Sequence, residues 1–372
     1  MRSANILIDK NALIHNLEQI KKQAPNAQVL AMVKSNAYGH GVKWVLDGLK
    51  DADAFGVATF LEALEINDLY QKKVTGKKPI VLIEGVFSEQ EWQKAVDYDF
   101  GMVIHCEQQV QWAEAYLPNS NSFSQTVWLK YNTGMNRLGF DKKKLPSIAK
   151  RLFQKGYRLI LISHFACSDD KNHPMNDQQI TAFDNMLTLL KQTIDPNIGG
   201  SLCNSAGIIN FLNHHYNWIR PGIALYGASP FAHKTAKSLG LKPVMTFCAK
   251  IMAIHRLMVG ECVGYGALWQ AKNDAKIAIV SIGYGDGYPR VVKNAYITLK
   301  QDDKEYQAPI IGRVAMDMLM IDISLLPDTI DVGCDVVLWG QTPSVDEVAN
   351  CANTIGYELL CQTTIRPNRF LV

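Results

Sequence analysis

The chain has 372 residues, 48% hydrophobic and 20% charged, which is the composition of a soluble globular protein and excludes a disordered or collagen-like one. Its 38 basic and 35 acidic residues leave a formal net charge of +3, too small a surplus for a dedicated polyanion binder, and its aromatic residues do not interleave with a basic stripe, so nucleic acid is not an expected partner. Roughly two or three domains are expected at this length. No run reaches the ~18 uninterrupted apolar residues of a membrane span, and Ile6-Leu7-Ile8 is too short for a signal peptide's apolar region. The eight cysteines contain no C-x-x-C pair and read as reduced thiols, so a cytoplasmic protein is expected.

In chain order, NALIHNLEQIKKQ (11–23) has helical periodicity, with Asp9 placed to cap it. Eight β-rich runs follow at 28–34, 54–58, 79–85, 101–105, 125–132, 158–166, 201–205 and 217–222. Amphipathic stretches such as 61–70, 145–155 and 178–193 separate them. Near-continuous apolar strands alternating with helices predict an α/β fold with a (β/α)8 barrel, for which a doubly wound sheet is the weaker competitor. Beyond about residue 235 the pattern changes to strands punctuated by Gly, Asp and Pro, at 244–257, 275–285, 294–299, 306–312, 317–324 and 335–340. One helix is expected there, 344–354, capped by Ser344. The expected division is a barrel over 1–235 and a mainly-β domain over 236–372.

Active sites of such barrels sit at the C-terminal strand ends. Lys34, in VKSNAYGHG (33–41), ends the first barrel strand, and a lysine in a partly apolar mouth can lose its proton and attack a carbonyl. A lone lysine there is more simply a solvated strand cap. The other strand ends change that weighing: Lys130 and Arg137 follow the fifth strand, His164 the sixth, Asn204 and Ser205 the seventh, and Arg220 the eighth. Ser205 with the Gly222-Ile223 backbone offers an anion site where such barrels often bind phosphate. In the second domain Tyr265 and Tyr284 lie between glycines, and Met316-Asp317 occupies another turn. No histidine or cysteine spacing points to a metal, and no phosphate loop or dinucleotide turn occurs.

Taken together, AMVKSNAYGHG, KYNTGMNRLGF, SHFA, CNSAG, RPGIALYG, VGYGALW, GYGDGYPR and GRVAMDM, ending at Tyr357, resemble the alanine racemase family over essentially the whole chain. The resemblance implies pyridoxal 5'-phosphate as cofactor and a homodimer with shared active sites, making D-alanine for peptidoglycan. Lys34 would hold the cofactor covalently and act as one base, and Tyr265, reaching the partner subunit's barrel, would be the other. Arg220 would face the pyridine nitrogen. Arg137 would contact cofactor and substrate carboxylate, braced by a carbamylated Lys130. His164 would join Arg220 to Tyr265, and Asn204 would belong to the cofactor site. Tyr38, Ser205, Gly222, Ile223 and Tyr357 would bind phosphate, Met316 would offer its amide to the carboxylate, and Tyr284 and Arg290 would line the entrance. Asn132, Leu268 and Ala315 depart from the residues usual in the family.

Racemisation needs the α-proton removed on one face and returned on the other, which is a task for two bases. A tyrosine, with an ordinary pKa of ~10, needs nearby positive charge to serve as one. A broader serine racemase is the alternative. A barrel-type decarboxylase should place a carboxylate where Arg220 stands, and a non-catalytic cofactor carrier would lack the β domain.

Overall fold

The computed structural model describes residues 3–73, 75–301 and 303–372. The chain opens with strand β1 (Asn5–Ile8) and helix α1 (Lys10–Gln23), whose first turn is capped by the Asp9 carboxylate accepting from the Ala12 amide at 2.9 Å. β2 (Gln28–Met32) starts a parallel sheet and is followed by two short turns of helix, α2 (Lys34–Tyr38) and α3 (Val42–Val45). Strand and helix then alternate through β3 (Ala54–Val57), α4 (Phe60–Gln71), β4 (Ile80–Leu82), α5 (Glu89–Asp97), β5 (Gly101–Ile104), α6 (Glu107–Ala115), β6 (Thr126–Lys130), α7 (Leu145–Gln154), β7 (Arg158–Ile162), α8 (Pro174–Thr193), β8 (Gly199–Ser201), α9 (Ser205–Asn210) and β9 (Trp218–Ile219).

All eight expected barrel strands are present, in the order β8-β7-β6-β5-β4-β3-β2-β9. Their residues are buried almost throughout, because helices cover the outer face and side chains fill the centre. The ring is nearly closed. Between β8 and β9 the Asn217 amide donates to Gly200 O (3.1 Å) and the Arg220 amide to Cys203 O (3.0 Å). The Ser201 hydroxyl adds a bond to Trp218 O at 2.9 Å. These contacts bring Arg220 and the residues after β8 onto one rim.

The second half is mainly β: β10 (Met245–Leu257), β11 (Cys262–Val263), β12 (Trp269–Gln270), β13 (Ala275–Val280), β14 (Tyr296–Gln301), β15 (Lys304–Ile311), β16 (Leu319–Asp322), β17 (Asp335–Trp339), helices α10 (Val345–Cys351) and α11 (Gly356–Cys361), and β18 (Asn368–Leu371). A register shift between Ile251 and Ala253 bends the long β10, so that its first half pairs with β1 and β17 and its second half with β13. The ladder β13-β16-β15-β14-β17-β10 thereby closes on itself. Trp339, Phe247 and Tyr288 pack in its core.

Beyond the short strands β11, β12 and β18, which were not expected, three features depart from the sequence expectation. Strand β1, inside the 1–235 segment, belongs to the second sheet, paired antiparallel with β10 and parallel with β18. The strand expected over 275–285 stops at Val280. A Cβ on Gly283 would lie 2.3 Å from Ala315 O, so the chain turns there against the Ala315-Met316 backbone. Helix α11 was not foreseen; six residues are too few to show periodicity, and it forms because α2 and α10 pack against it. The foreseen helix over 344–354 is α10, with Ser344 in a capping box with Glu347.

Candidate active site

Lys34 begins an unusual turn. Ser35, Asn36, Ala37 and Tyr38 have φ of 53°, 51°, 54° and 51°, so α2 is one turn of left-handed helix built from residues with side chains. Such a turn costs about 1–2 kcal/mol per residue and persists only where its surroundings hold it. Its own bonds run from the Ala37 amide to Val33 O and from the Gly39 amide to Ser35 O, both 2.9 Å. The Glu62 carboxylate takes the Ser35 amide at 2.7 Å, and Asn36 Oδ1 takes the Val42 amide at 2.8 Å. Beneath it the buried His40 ring has Nδ1 at 3.0 Å from Ala37 O and 2.9 Å from Tyr38 O, and packs on Tyr226.

Burial holds the His40 pKa down at about 4, against 6.5 for the free side chain. Between those values the folded protein binds fewer protons at this site than the unfolded chain. The stability contributed by neutral His40 is therefore complete above about pH 6.5 and is lost as pH falls toward about 4. From about pH 7 to pH 5 the wild-type protein should lose on the order of 2 kcal/mol more unfolding free energy than His40→Phe, measured by urea titration at each pH. Equal losses in the two proteins would refute this.

Lys34, Lys130, Arg137, His164 and Arg220 line one cavity of about 560 Å³, with Glu84 its one carboxylate among the described residues. Arg220 is buried, donating from Nη1 to Ser201 Oγ (2.6 Å) and from Nη2 to Ser163 O (2.5 Å) and Leu202 O (3.2 Å). All three acceptors are uncharged. Burial pulls its pKa to about 10, still far above neutrality. Burial, then the neighbouring charges of Arg220 and Arg137, bring Lys130 to about 7, so a large share of it is a free amine at neutral pH. His164 is driven well below its usual range by burial and by Arg220, and stays neutral. Its ring makes no hydrogen bond to Arg220 among the described residues. Arg137 stands on the loop after β6, which Asn132 shapes by accepting from the Gly134 (3.1 Å) and Asn136 (3.0 Å) amides.

Another part of the cavity lining gathers hydroxyl and backbone amide groups of the kind that suit an anion. Ser205 opens α9, and its hydroxyl accepts from the Gly222 amide at 2.9 Å. Ile223 opens a 3-10 turn at the same place. Asn204 caps α9 through Gly207 and is itself held by Ser168. Tyr38 and Tyr357 flank these groups, with hydroxyl pKa values raised by burial, so both remain protonated donors. A Cβ on Gly222 would stand 2.3 Å from the Tyr38 hydroxyl, so only glycine lets that hydroxyl approach. A strand-end lysine, surplus positive charge and this cradle fit a ligand with a carbonyl carbon and a phosphate.

Neither Tyr265 nor Met316 reaches this cavity. Tyr265 is 72% exposed on a turn between Gly264 and Gly266, and Met316 is 53% exposed. Tyr284 and Arg290 also lie outside the cavity lining. Sequence reasoning missed the supports: Glu62, His40, Ser163, Ser201 and Gln179. Gln179 on α8 donates to His164 O and to Thr133 Oγ1, both 2.9 Å. Glu62, Ser163 and Ser201 adjoin apolar residues, the one signal that was available, while His40 sits between two glycines and Gln179 in a polar run, where the sequence carries no such signal. Among the described residues no group of three or more His, Cys, Asp and Glu side chains is placed to hold a metal, and no helix is long and apolar enough to cross a membrane.

A lysine at a strand end of a (β/α)8 barrel, hydroxyl and amide groups suited to a phosphate in the same cavity, and an attached β domain match the class of barrel-type pyridoxal-phosphate enzymes. The family model for the alanine racemase N-terminal domain matches residues 8–230, and that for the C-terminal domain matches 244–371. The alanine racemase of Psychrobacter sp. (strain PRwf-1) is 51% identical over 377 residues, covering 99% of both chains. The structure of alanine racemase from Acinetobacter baumannii superposes with a TM-score of 0.90 at 44% identity over 100% of both chains. That of Bartonella henselae, with covalently bound pyridoxal phosphate, superposes at 0.87 with 27% identity over 100% of this chain and 99% of that one. The chain therefore belongs to the alanine racemase family. It is an amino-acid isomerase acting on alanine, with pyridoxal phosphate as its cofactor.

Proposed function

We propose that two copies of the chain interconvert L- and D-alanine at shared sites, Lys34 of one protomer and a tyrosine at position 265 of the other acting on opposite faces of the α-carbon. The observation that carries this is the separation just described: Lys34 lines the cationic cavity, while Tyr265 projects from the second domain, 72% exposed and outside it. A second copy that brought its cationic cavity to this phenol would supply the positive neighbours a catalytic phenol needs. When bound, the cofactor supplies an electron-withdrawing ring that acidifies the substrate's α-C–H bond. Lys34 would hold it covalently, and Ser205, Gly222, Ile223, Tyr38 and Tyr357 would hold its phosphate, with Asn204 fixing α9. Arg220, which only donates hydrogen bonds, would face its ring nitrogen. Arg137 and the Met316 amide take the substrate carboxylate, Tyr284 and Arg290 line the way in, and the product serves peptidoglycan synthesis in the cytoplasm.

Lys130 fits a carbamate. Its free amine attacks the carbon of carbon dioxide, the C–N bond forms, one N–H proton leaves to solvent, and the new anion sits among Arg137 and Arg220, whose charges oppose an ammonium there. Carbon-13 bicarbonate should give a protein-bound carbamate signal in the wild-type protein and none in Lys130→Met. A wild-type spectrum without the signal would remove the carbamate from the account.

Chiral analysis of product with each L-amino acid tests the function. D-alanine alone is expected. Comparable D-serine would mark the broader racemase, and release of carbon dioxide and an amine would mark a decarboxylase.

A further inference from the structure

The left-handed turn after Lys34 is held at its exit by the last strand of the chain. Arg369, on β18, turns out of the second domain toward α2. Its Nε and Nη2 donate to Gly39 O at 3.2 and 3.0 Å, and its Nη1 donates to Thr364 O at 3.0 Å. Nη2 also donates to the Thr363 hydroxyl at 3.1 Å, which in turn donates to Leu360 O at 2.9 Å. No carboxylate pairs with this guanidinium among the described residues, so its hydrogen bonds go to backbone carbonyls and one hydroxyl. The fit is close. A Cβ on Gly41 would lie 3.3 Å from Arg369 Cδ, and one on Gly39 would lie 1.9 Å from Leu360 O.

Gly39 is the residue at which the left-handed turn ends, with φ +77°, and its amide closes the turn onto Ser35 O. A turn of four strained residues relaxes unless both ends are fixed. Val33, on the barrel strand side, fixes the entry. The second domain fixes the exit through Arg369, and Lys34 is the first residue between them. We infer that Arg369 is a positioning residue: by clamping the Gly39 carbonyl it keeps the left-handed turn wound and Lys34 in the place where it can exchange a proton with the substrate. This rests on the reading of Lys34 as a base. It also gives the second domain a task in its own protomer, distinct from offering Tyr265 to a partner.

The test is Arg369→Gln, with Arg369→Lys as the variant that keeps a cation and a donating group but not the guanidinium fork. Amide hydrogen exchange on the cofactor-free protein follows Ala37, Gly39 and Gly41, and kinetics, cofactor absorbance and thermal unfolding are measured on the loaded enzyme. For Arg369→Gln, exchange at these three amides should rise well above that of the barrel strands. kcat should fall about tenfold to a hundredfold, as expected for a reacting group displaced by a fraction of an ångström to 1 Å. KM and the melting temperature should stay near wild type, and Arg369→Lys should recover part of kcat. Unchanged exchange at the three amides overturns the clamp. Faster exchange with wild-type kcat overturns the positioning role. A fall in kcat matched by a general loss of stability assigns Arg369 to the fold alone and also overturns it. Failure of the underlying reading would look different, since Lys34→Ala would then keep its covalent cofactor whatever Arg369 does.

Discussion

Lys34→Ala should lose the covalently held cofactor and with it at least about 10³-fold in kcat, because one substitution removes both the linkage and a base. The purified variant should lack the yellow colour of the lysine-linked cofactor, and borohydride should fix no cofactor to the chain. The fold should survive. Lys34 is only partly buried, and the left-handed turn is held by Glu62, Asn36, His40 and Arg369. A variant that keeps a borohydride-reducible link at another lysine would sink the assignment. Lys130 is the serious competitor, since it lines the same cavity with a pKa brought to about 7.

Mixing two inactive proteins should restore activity. In a Lys34→Ala chain paired with a Tyr265→Phe chain, one of the two shared sites lacks both bases and the other has both. If subunits exchange at random, half the dimers are mixed and each carries one intact site, so roughly a quarter of wild-type activity should return. Subunit exchange verified by intact mass with no activity regained would contradict a site built from two chains. Tyr265 is 72% exposed and lies outside the cationic cavity of its own protomer, which leaves it free to enter that of a partner.

The barrel was legible because its strands are local, apolar and regularly interleaved with helices, and the site because five of the eight strand ends carry a polar residue that a buried strand would not otherwise tolerate. Lys34, Lys130, His164, Ser205 and Arg220 could be found in that way, and one cavity gathers them. The left-handed turn was not legible. The sequence KSNAY contains no glycine, and the conformation is imposed by partners up to 330 residues away, such as Arg369. Strand β1 escaped for the same reason: three apolar residues, Ile6-Leu7-Ile8, are too short a run to announce a strand, and only the fold determines that β10 and β18 flank it. The supports of Arg220, Ser201 and Ser163, are short hydroxylated residues inside apolar runs, and they acquire meaning only once the guanidinium is placed over them.

The two-base account meets its most direct test in heavy water with Tyr265→Phe. Lys34 remains in that variant, so the enantiomer whose α-hydrogen faces Lys34 should exchange that hydrogen for deuterium while keeping its configuration, and the other enantiomer should exchange far more slowly, with little racemisation of either. Nuclear magnetic resonance of the recovered, chirally resolved alanine reads both quantities in one experiment. Equal deuterium uptake by the two enantiomers, or racemisation continuing at the wild-type rate, would contradict a division of labour between Lys34 and Tyr265.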